Sequence, residues 1–389
     1  MNRVSIYFFA GDFSDVLRRF EEGRPQIYQT HNEVARLIHD LLAAKQQLTI
    51  YSFVTPERRD ERPISGLRIV SLGARDYSVA SLLRTAVTED DVDALVAHFP
   101  NHELLRATLA TKSRLIAMLA SSYNRTGVRS TLERWKTASL LNNTRFELVS
   151  NHCLPATEQL ARIGVKRNKL IAWDVSHPCE PASYKPKELA TGRRFEAVYV
   201  GSIAEDKGVA ELIRAIAVLR DQGIEVHCSL AGLGNIDAMQ TLSKTLGVSH
   251  LVAFVGLIGN NEVLATMMAA DLVVVPSRTV YPEGFPLTMF EAIASRTPIV
   301  CSDHPMFCEV MVDGRNASVF PAGDYWAFAA AIRRTLTDPV LYAALSRNAT
   351  STWAALKGPA DWRTLIFKWV VEGRSSPWLR EHMLTAIRP

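Results

Sequence analysis

The segment 275–303, VPSRTVYPEGFPLTMFEAIASRTPIVCSD, places two carboxylates, Glu283 and Glu291, eight positions apart around a Gly-Phe-Pro turn that opens a helix. Pro286 suits the first turn of that helix, because the N–H it lacks would have no partner there. Gly284 permits a tight turn and close approach of backbone to a ligand. Behind Phe285 and Pro286, the N–H groups of Leu287 and Thr288 point out of the helix start and form a ready anion site. Glu291 lies about one turn further in. A carboxylate there can accept hydrogen bonds from vicinal hydroxyls, as on a ribose. Glu283, on the preceding loop, can reach hydroxyls on the far side of the phosphates. The order of groups suits sugar, phosphate and ribose. By periodicity alone, the same two carboxylates also suit a solvated helix end.

The surrounding elements must hold this segment at a sheet edge. FEAVYVGSI (195–203) reads as a strand ending at Gly201, and ELIRAIAVLRDQG (211–223) as a helix stopped by Gly223. EVHCSLAGLG (225–234) is a strand with a glycine turn at Gly232 and Gly234. LVAFVGLI (251–258), DLVVVPS (271–277) and TPIVCS (297–302) are further strands. NEVLATMMAA (261–270), FPLTMFEAIAS (285–295) and DYWAFAAAIRRTLTD (324–338) are helices. Such alternation predicts a doubly wound parallel sheet that binds ligands at the carboxyl ends of its strands. Residues 1–180 share the architecture but not the sequence. Strands are predicted at 4–9, 48–53, 67–72, 115–120, 146–150 and 169–173, and Val34, Leu37, Ile38, Leu41 and Leu42 recur at helical spacing. Between Ser78 and Glu103 the chain is more polar, and ALVAHF (94–99) is the best strand candidate. HPCEPASYKPKELATG (177–192), with three prolines and no period, reads as a linker. The expectation is two α/β domains, 1–180 and 193–359.

Residues 195–340 resemble the retaining glycosyltransferases of family 4, whose signature is E-x7-E. VYVGSIAEDKGVAELIRA (198–215) is similar to the family's strand, Gly, Lys-Gly and helix, and AGLGN (231–235) to its Gly-x-Gly turn. FVGLIGNNEVLATMMAADLVVVPS (254–277) resembles its approach to the signature, and SDHPMFCEVMVDGRNASVFPAGD (302–324) its trailing Glu and Asp-Gly-x-Asn turn. The resemblance implies two facing Rossmann-like domains with a central cleft, the GT-B arrangement. It implies a nucleoside-diphosphate sugar bound by Gly201, Ser202, Lys207, Gly232, Gly234, Glu283, Gly284, Phe285, Pro286, Leu287, Thr288 and Glu291. Lys207 and Glu283 are then the catalytic candidates of the second half, and Glu309 a donor-side residue. His98, at the end of a strand in the first half, matches a histidine that family members carry near the reacting centre; a satisfied strand-end histidine is the other reading. Ser202 stands where the family usually has Arg, so Arg278 becomes the candidate replacement cation. Gly11-Asp12 is the nearest counterpart of the family's first glycine pair, and Pro305-Met306 replaces its Gly-Gly.

The resemblance implies sugar transfer, with retention, onto a hydroxyl acceptor held by the first half: a glycan or lipid-linked acceptor in bacterial surface polysaccharide synthesis. Two alternatives stay open. Ser202 allows a catalytically weak nucleotide-sugar-binding paralogue that partners an active transferase; the second is another enzyme, a nucleotide-sugar epimerase or a sucrose-phosphate-type synthase with a soluble small acceptor. The 389 residues are 48 % hydrophobic and 22 % charged, as in a globular protein. Lys and Arg number 44 against 40 Asp and Glu, too small an excess for nucleic acid. It is compatible with an anionic substrate or a loose membrane-surface contact. No apolar run reaches the roughly 18 residues of a membrane span, and five scattered cysteines suggest neither disulfides nor zinc. The expected location is the cytoplasm, with peripheral contact at the inner face of the membrane compatible. In the tail, Trp362, Leu365, Ile366, Trp369 and Val370 form a helical stripe. It could pack residues 360–389 back on the first domain, as the family does, or face a bilayer beside Lys368, Arg374 and Arg380.

No His/Cys ligand cluster stands in the sequence, no cofactor is expected, and backbone with Lys207 is expected to replace a divalent ion. Activity should therefore persist in EDTA. Abolition by chelation with rescue by manganese or magnesium would contradict this.

Overall fold

The computed structural model describes residues 2–26, 29–74, 92–98, 102–123, 128–177, 179–190, 194–281 and 285–387. The chain forms two compact units, Met1–Ser176 with Gly358–Pro389, and His177–Lys357.

The first unit is built on nine strands: β1 (Arg3–Ala10), β2 (Gln47–Val54), β3 (Arg58–Glu61), β4 (Leu67–Ala74), β5 (Ala94–His98), β6 (Arg114–Leu119), β7 (Phe146–His152), β8 (Leu170–Asp174) and, at the return of the chain, a two-residue strand at 360–361. The sheet order is 360–361, β8, β7, β6, β5, β1, β2, β4, β3. Strands buried on both faces read as unbroken apolar runs, and β1 obeys this: Val4, Ile6, Tyr7 and Phe8 are all buried. Ile6 lies between Ile50 of β2 and Val96 of β5 in parallel register. Tyr7 packs edge-on against Tyr51 and Phe53, with centroids 5.1 and 5.8 Å away. From β1 the chain builds outward first through β2 to β4 and then through β5 to β8, so the topological switch point lies between β1 and β5. The edge strand β3, RRDE, runs antiparallel to β4. Its charges suit a sheet edge and conceal it from any hydrophobic pattern.

The returning tail completes this unit. Residues 360–361 pair in parallel with β8. The helix Trp362–Glu372 starts on Asp361, whose Oδ1 accepts from the N–H and the hydroxyl of Thr364 at 2.8 and 2.6 Å. Its stripe of Trp362, Leu365, Ile366, Trp369 and Val370 is buried. Trp369 donates from Nε1 to Glu147 at 2.8 Å, and the Arg114 guanidinium lies 4.8 Å above its ring. Arg363 reaches Glu33 at 3.5 Å and Asp40 at 3.6 Å on the helix Gln29–Ala43. These aromatic side chains are thus withdrawn from any bilayer, and Lys368 pairs with Glu372.

The second unit has six parallel strands. In chain order they are β9 (Phe195–Val200), β10 (Val226–Ala231), β11 (Val252–Gly256), β12 (Leu272–Val275), β13 (Ile299–Ser302) and β14 (Ser318–Phe320). The sheet order is β11, β10, β9, β12, β13, β14, which puts the switch point between β9 and β12. The helices Val209–Asp221 and Tyr325–Thr337 share one core through Leu212, Ile216, Phe328 and Ile332. The segment expected as a linker is different in the structure, because much of it packs on this unit. His177 stacks on Phe290 at 4.7 Å, Arg296 Nε donates to the Pro181 carbonyl at 2.5 Å, and Lys187 Nζ donates to the Ala270 carbonyl at 2.6 Å. Prolines suit such an extended, carbonyl-presenting path as well as they suit a free linker. Residues 191–193 lie outside the described residues.

Trp369 carries a buried indole, an indole hydrogen bond and a cation–π contact together. Trp369→Ala should destabilise the first unit by about 3–5 kcal/mol, the usual cost of truncating a buried aromatic. Urea unfolding checks this, and a loss below about 1 kcal/mol would show that the tail is not part of the unit's cooperative core.

Candidate functional site

The carboxyl edge of the second sheet is assembled by backbone. The turn after β9, residues 201–208, runs between the turn after β10 and the turn after β12. On one side Gly201 N–H donates to the Ala231 carbonyl at 2.9 Å, Ile203 N–H to the Leu233 carbonyl at 2.8 Å, and Asn235 N–H to the Ile203 carbonyl at 2.7 Å. On the other, Arg278 N–H donates to the Asp206 carbonyl at 2.9 Å. A Cβ on Gly232 would stand 1.8 Å from the Gly201 oxygen, and one on Gly234 2.2 Å from the Ile203 oxygen. Gly208, with φ +73°, caps the helix Val209–Asp221, and its Cβ would meet the Pro276 oxygen at 2.0 Å. Only glycine fits these contacts.

The third side is the start of the helix Leu287–Ala294. Pro286 is its N-cap residue, just outside the first turn that the sequence suggests for it, and no side chain caps that turn. The first N–H groups of a helix have no partner within it, and no carboxylate competes for them in this first turn. Thr288 Oγ1 donates to the Val200 carbonyl at 3.3 Å, which brings the helix start against the end of β9. Phe285 is buried against Phe290 and Phe307 and anchors the entry. Glu283 and Gly284 lie outside the described residues.

Lys207 places its ammonium 3.9 Å from the centre of the Tyr281 ring, a cation–π contact that orients it. The Tyr281 carbonyl accepts from His304 Nε2 at 3.0 Å, while His304 Nδ1 accepts from Met306 N–H at 3.2 Å. This pair of bonds fixes the histidine tautomer and ties the turn after β12 to the turn after β13, which carries Pro305, Met306 and Glu309. Ser202 is exposed, and its carbonyl accepts from the Tyr199 hydroxyl at 2.7 Å. Arg278 is placed differently from the expectation of a replacement phosphate cation. Its Nε donates to the buried Glu211 at 3.0 Å and its Nη1 to Glu205 at 3.0 Å. The guanidinium is held by these carboxylates because Glu211 is buried and its charge requires a partner; Arg278 braces the turn.

In the first unit, His98 ends β5 beside β1, at that unit's switch point. Its ring is surrounded by Phe8 at 5.4 Å, Trp173 at 6.0 Å and Trp362 at 6.0 Å. Burial lowers its pKa to about 4, with a smaller contribution from His152, so His98 is neutral at pH 7. His152, to which spacing in the sequence gives no role, lies 3.4 Å from Asp174 and packs tilted against Trp173, with ring centres 4.7 Å apart. Both close the strand ends beside His98, as does Trp362 from the tail. Asp12 caps the helix Phe13–Glu21 and pairs with Arg59 at 2.5 Å.

Glu291 is half-buried, and desolvation raises its pKa to about 7. A carboxyl whose folded pKa exceeds its unfolded value of 4.5 favours folding most below pH 4.5, and that contribution is lost as pH rises through about 7. Glu291→Gln should therefore raise the melting temperature at pH 8, by up to about 3 kcal/mol of stability, and change it little at pH 4. An equal effect at both pH values would remove the burial account.

Residues 182–352 match the family described as glycosyl transferases group 1. Over 171 residues the chain is 32 % identical to a glycogen synthase of Mycobacterium tuberculosis, a match covering 44 % of this chain and 40 % of that protein. Over 190 residues it is 30 % identical to the lipopolysaccharide core biosynthesis mannosyltransferase LpcC of Rhizobium leguminosarum, covering 45 % of this chain and 52 % of that one. The chain thus spans about half or less of the length of these curated relatives. Over nearly its whole length the fold is similar to that of the sucrose-phosphate synthase of Thermosynechococcus elongatus, with TM-score 0.66, 17 % identity, and 96 % and 98 % of the two chains covered. It is also similar to Anabaena Alr3699/HepE solved with UDP and glucose, with TM-score 0.60, 15 % identity, and 96 % and 99 % covered. The two parallel-sheet units carry the fold of the GT-B glycosyltransferases, and the second of them holds the segment, residues 182–352, that matches the glycosyl transferases group 1 family.

Proposed function

We propose that the chain is a retaining glycosyltransferase that moves a sugar from a nucleoside-diphosphate sugar to a hydroxyl acceptor. The observation that carries this reading is the meeting, at one switch point, of a glycine-built turn bearing Lys207 with an uncapped helix start and a half-buried Glu291. Ligands of open α/β sheets bind at such a point. The diphosphate would lie between Lys207 and the N–H groups of Leu287 and Thr288, with the ribose hydroxyls on Glu291. Ser202, Gly201, Gly232 and Gly234 would let backbone approach the phosphates, and Glu283 would take the sugar hydroxyls.

Charge builds on the leaving diphosphate, and preorganised donors aimed at such charge usually contribute most to the rate enhancement. Lys207 and the helix start supply them without a metal ion. Retention needs no enzyme carboxylate as nucleophile, unlike a retaining glycosidase: the leaving phosphate takes the acceptor proton on the face it vacates. His98, neutral at pH 7, would position an acceptor hydroxyl at the switch point of the first unit. The relative named for lipopolysaccharide core biosynthesis supports a glycan or lipid-linked acceptor of a bacterial surface polysaccharide. A nucleotide-sugar-binding paralogue with weak turnover is the second reading. It is favoured by Ser202 in place of the family's Arg and by the hold of Glu205 and Glu211 on Arg278.

A thermal-shift series with UDP, GDP and ADP tests the donor half of this reading, because a bound ligand raises the melting point by mass action. Release of nucleoside diphosphate from the matching sugar nucleotide then separates transferase from paralogue. Lys207→Ala should lower turnover by about a hundredfold or more while weakening donor binding less. Intact turnover in that variant would remove Lys207 from the diphosphate.

A further inference from the structure

The chain's positive charge is not spread evenly. Residues 128–169 hold eight Lys and Arg against three Glu, whereas the whole chain holds 44 against 40. The rest of the chain therefore carries one more acid than base. This segment spans the helix Val128–Leu141, β7, the helix Leu154–Arg162 and the turn into β8. In its middle stand two of the large apolar side chains most open to solvent: Trp135, 67 % exposed, and Leu132, 52 % exposed. They are three positions apart and share one face of the helix. Lys136 is exposed on the same helix, within 3.3 Å of the exposed Glu133, a surface pair that an anionic lipid can displace. Arg162 and Lys166 are exposed at the end of the neighbouring helix and in the turn after it. Beside Trp135 runs a groove of about 610 Å³ lined by Ala138, Ser139, Asn142, Ile163 and Gly164. Lys166 is fixed at its margin, where its N–H donates to Asn142 Oδ1 at 2.9 Å. The groove lies at the amino ends of β7 and β8, the opposite edge of the sheet from His98.

We infer that the outer face of the helix Val128–Leu141 is a docking surface for an anionic lipid bilayer, with Trp135 and Leu132 entering the headgroup boundary and Lys136, Arg162 and Lys166 meeting lipid phosphates. An indole is a side chain favoured at that boundary, apolar in its body and polar at one end. Lysine and arginine around it supply the long-range attraction that a single Trp–Leu pair cannot, and stable surface binding takes both. The tail stripe cannot serve, since its tryptophans are buried. Among the described residues no helix is long and apolar enough to cross a membrane, so this contact lies on the surface. The other solvent-facing tryptophan, Trp326, 60 % exposed, stands on a helix of the second unit. It serves as the internal control. This inference does not rest on the donor reading.

The test is co-sedimentation of the full chain with phosphatidylcholine vesicles, with and without phosphatidylglycerol, at low and physiological salt. Binding should need the anionic lipid and weaken with salt, because charges beyond roughly 8 Å are screened at 0.15 M. The double variant Leu132→Ala with Trp135→Ala should bind about tenfold less or weaker still, with an unchanged melting curve. Lys136→Glu with Lys166→Glu should do the same, and Trp326→Ala should bind as wild type. Failure of the wild type to sediment, wild-type binding by both double variants, or an equal loss in Trp326→Ala would overturn the proposal. So would a dimer that the Trp135 variant dissolves, since the face would then belong to a second copy. A nucleoside-diphosphate thermal shift on the same samples reports the donor site separately, so the two readings fail independently.

Discussion

The candidate site depends on backbone packed against backbone. Three strand-end turns in the second unit approach so closely that side chains are excluded at Gly208, Gly232 and Gly234, where a Cβ would overlap a carbonyl oxygen. Hydrogen bonds between the turns close the gap that the glycines leave. The shape of the 201–208 turn is therefore set by groups that no surface substitution can alter. Lys207 gains from this twice, because its own turn is fixed and the Tyr281 beneath it is tied to His304. A rigid first layer with a supported second layer is what electrostatic preorganisation requires.

Two carboxylates in the same unit show two outcomes of burial. Glu211 is buried in the first turn of its helix and is met by Arg278. Glu291 is half-buried one turn into its helix, and desolvation is the cause of its raised pKa. A charge held that way costs stability in the folded protein. A ligand with hydroxyl or N–H donors would offset that cost, which is what the proposed donor site asks of Glu291.

What the sequence made legible was local. The strands of both units are short apolar runs bounded by turns, and β1, β9 and β12 lie within about two residues of the runs that predict them. The glycine turns at Gly201, Gly232 and Gly234 sit next to their strands, so pattern and position agree. The charged edge strand β3 carries no such signal, and the helix Ile236–Thr245 and the pair at 339–347 and 349–356 are hidden between clearer elements. The partners of a charge are also invisible in a sequence. Arg278 follows the Pro-Ser that approaches the signature, which suggests a phosphate, but its carboxylates come from Glu205 and Glu211, about seventy positions earlier. The surroundings of His98 need the tail: Trp362 reaches it from 264 positions away, a contact that only the closed fold creates.

The same physics places the two candidate centres. In each unit the chain starts at the middle of a parallel sheet, builds one side and then the other, and leaves a crevice where the order reverses. His98 stands at the reversal in the first unit, and the Lys207 turn stands at the reversal in the second. Their electrostatics are opposite. Burial lowers the pKa of His98 and leaves its ring neutral at pH 7, while the Lys207 ammonium lies over the electron-rich face of Tyr281. One desolvated imidazole and one ammonium on an aromatic face thus stand at equivalent points of two similar sheets, so equal architectures here carry unequal side chains.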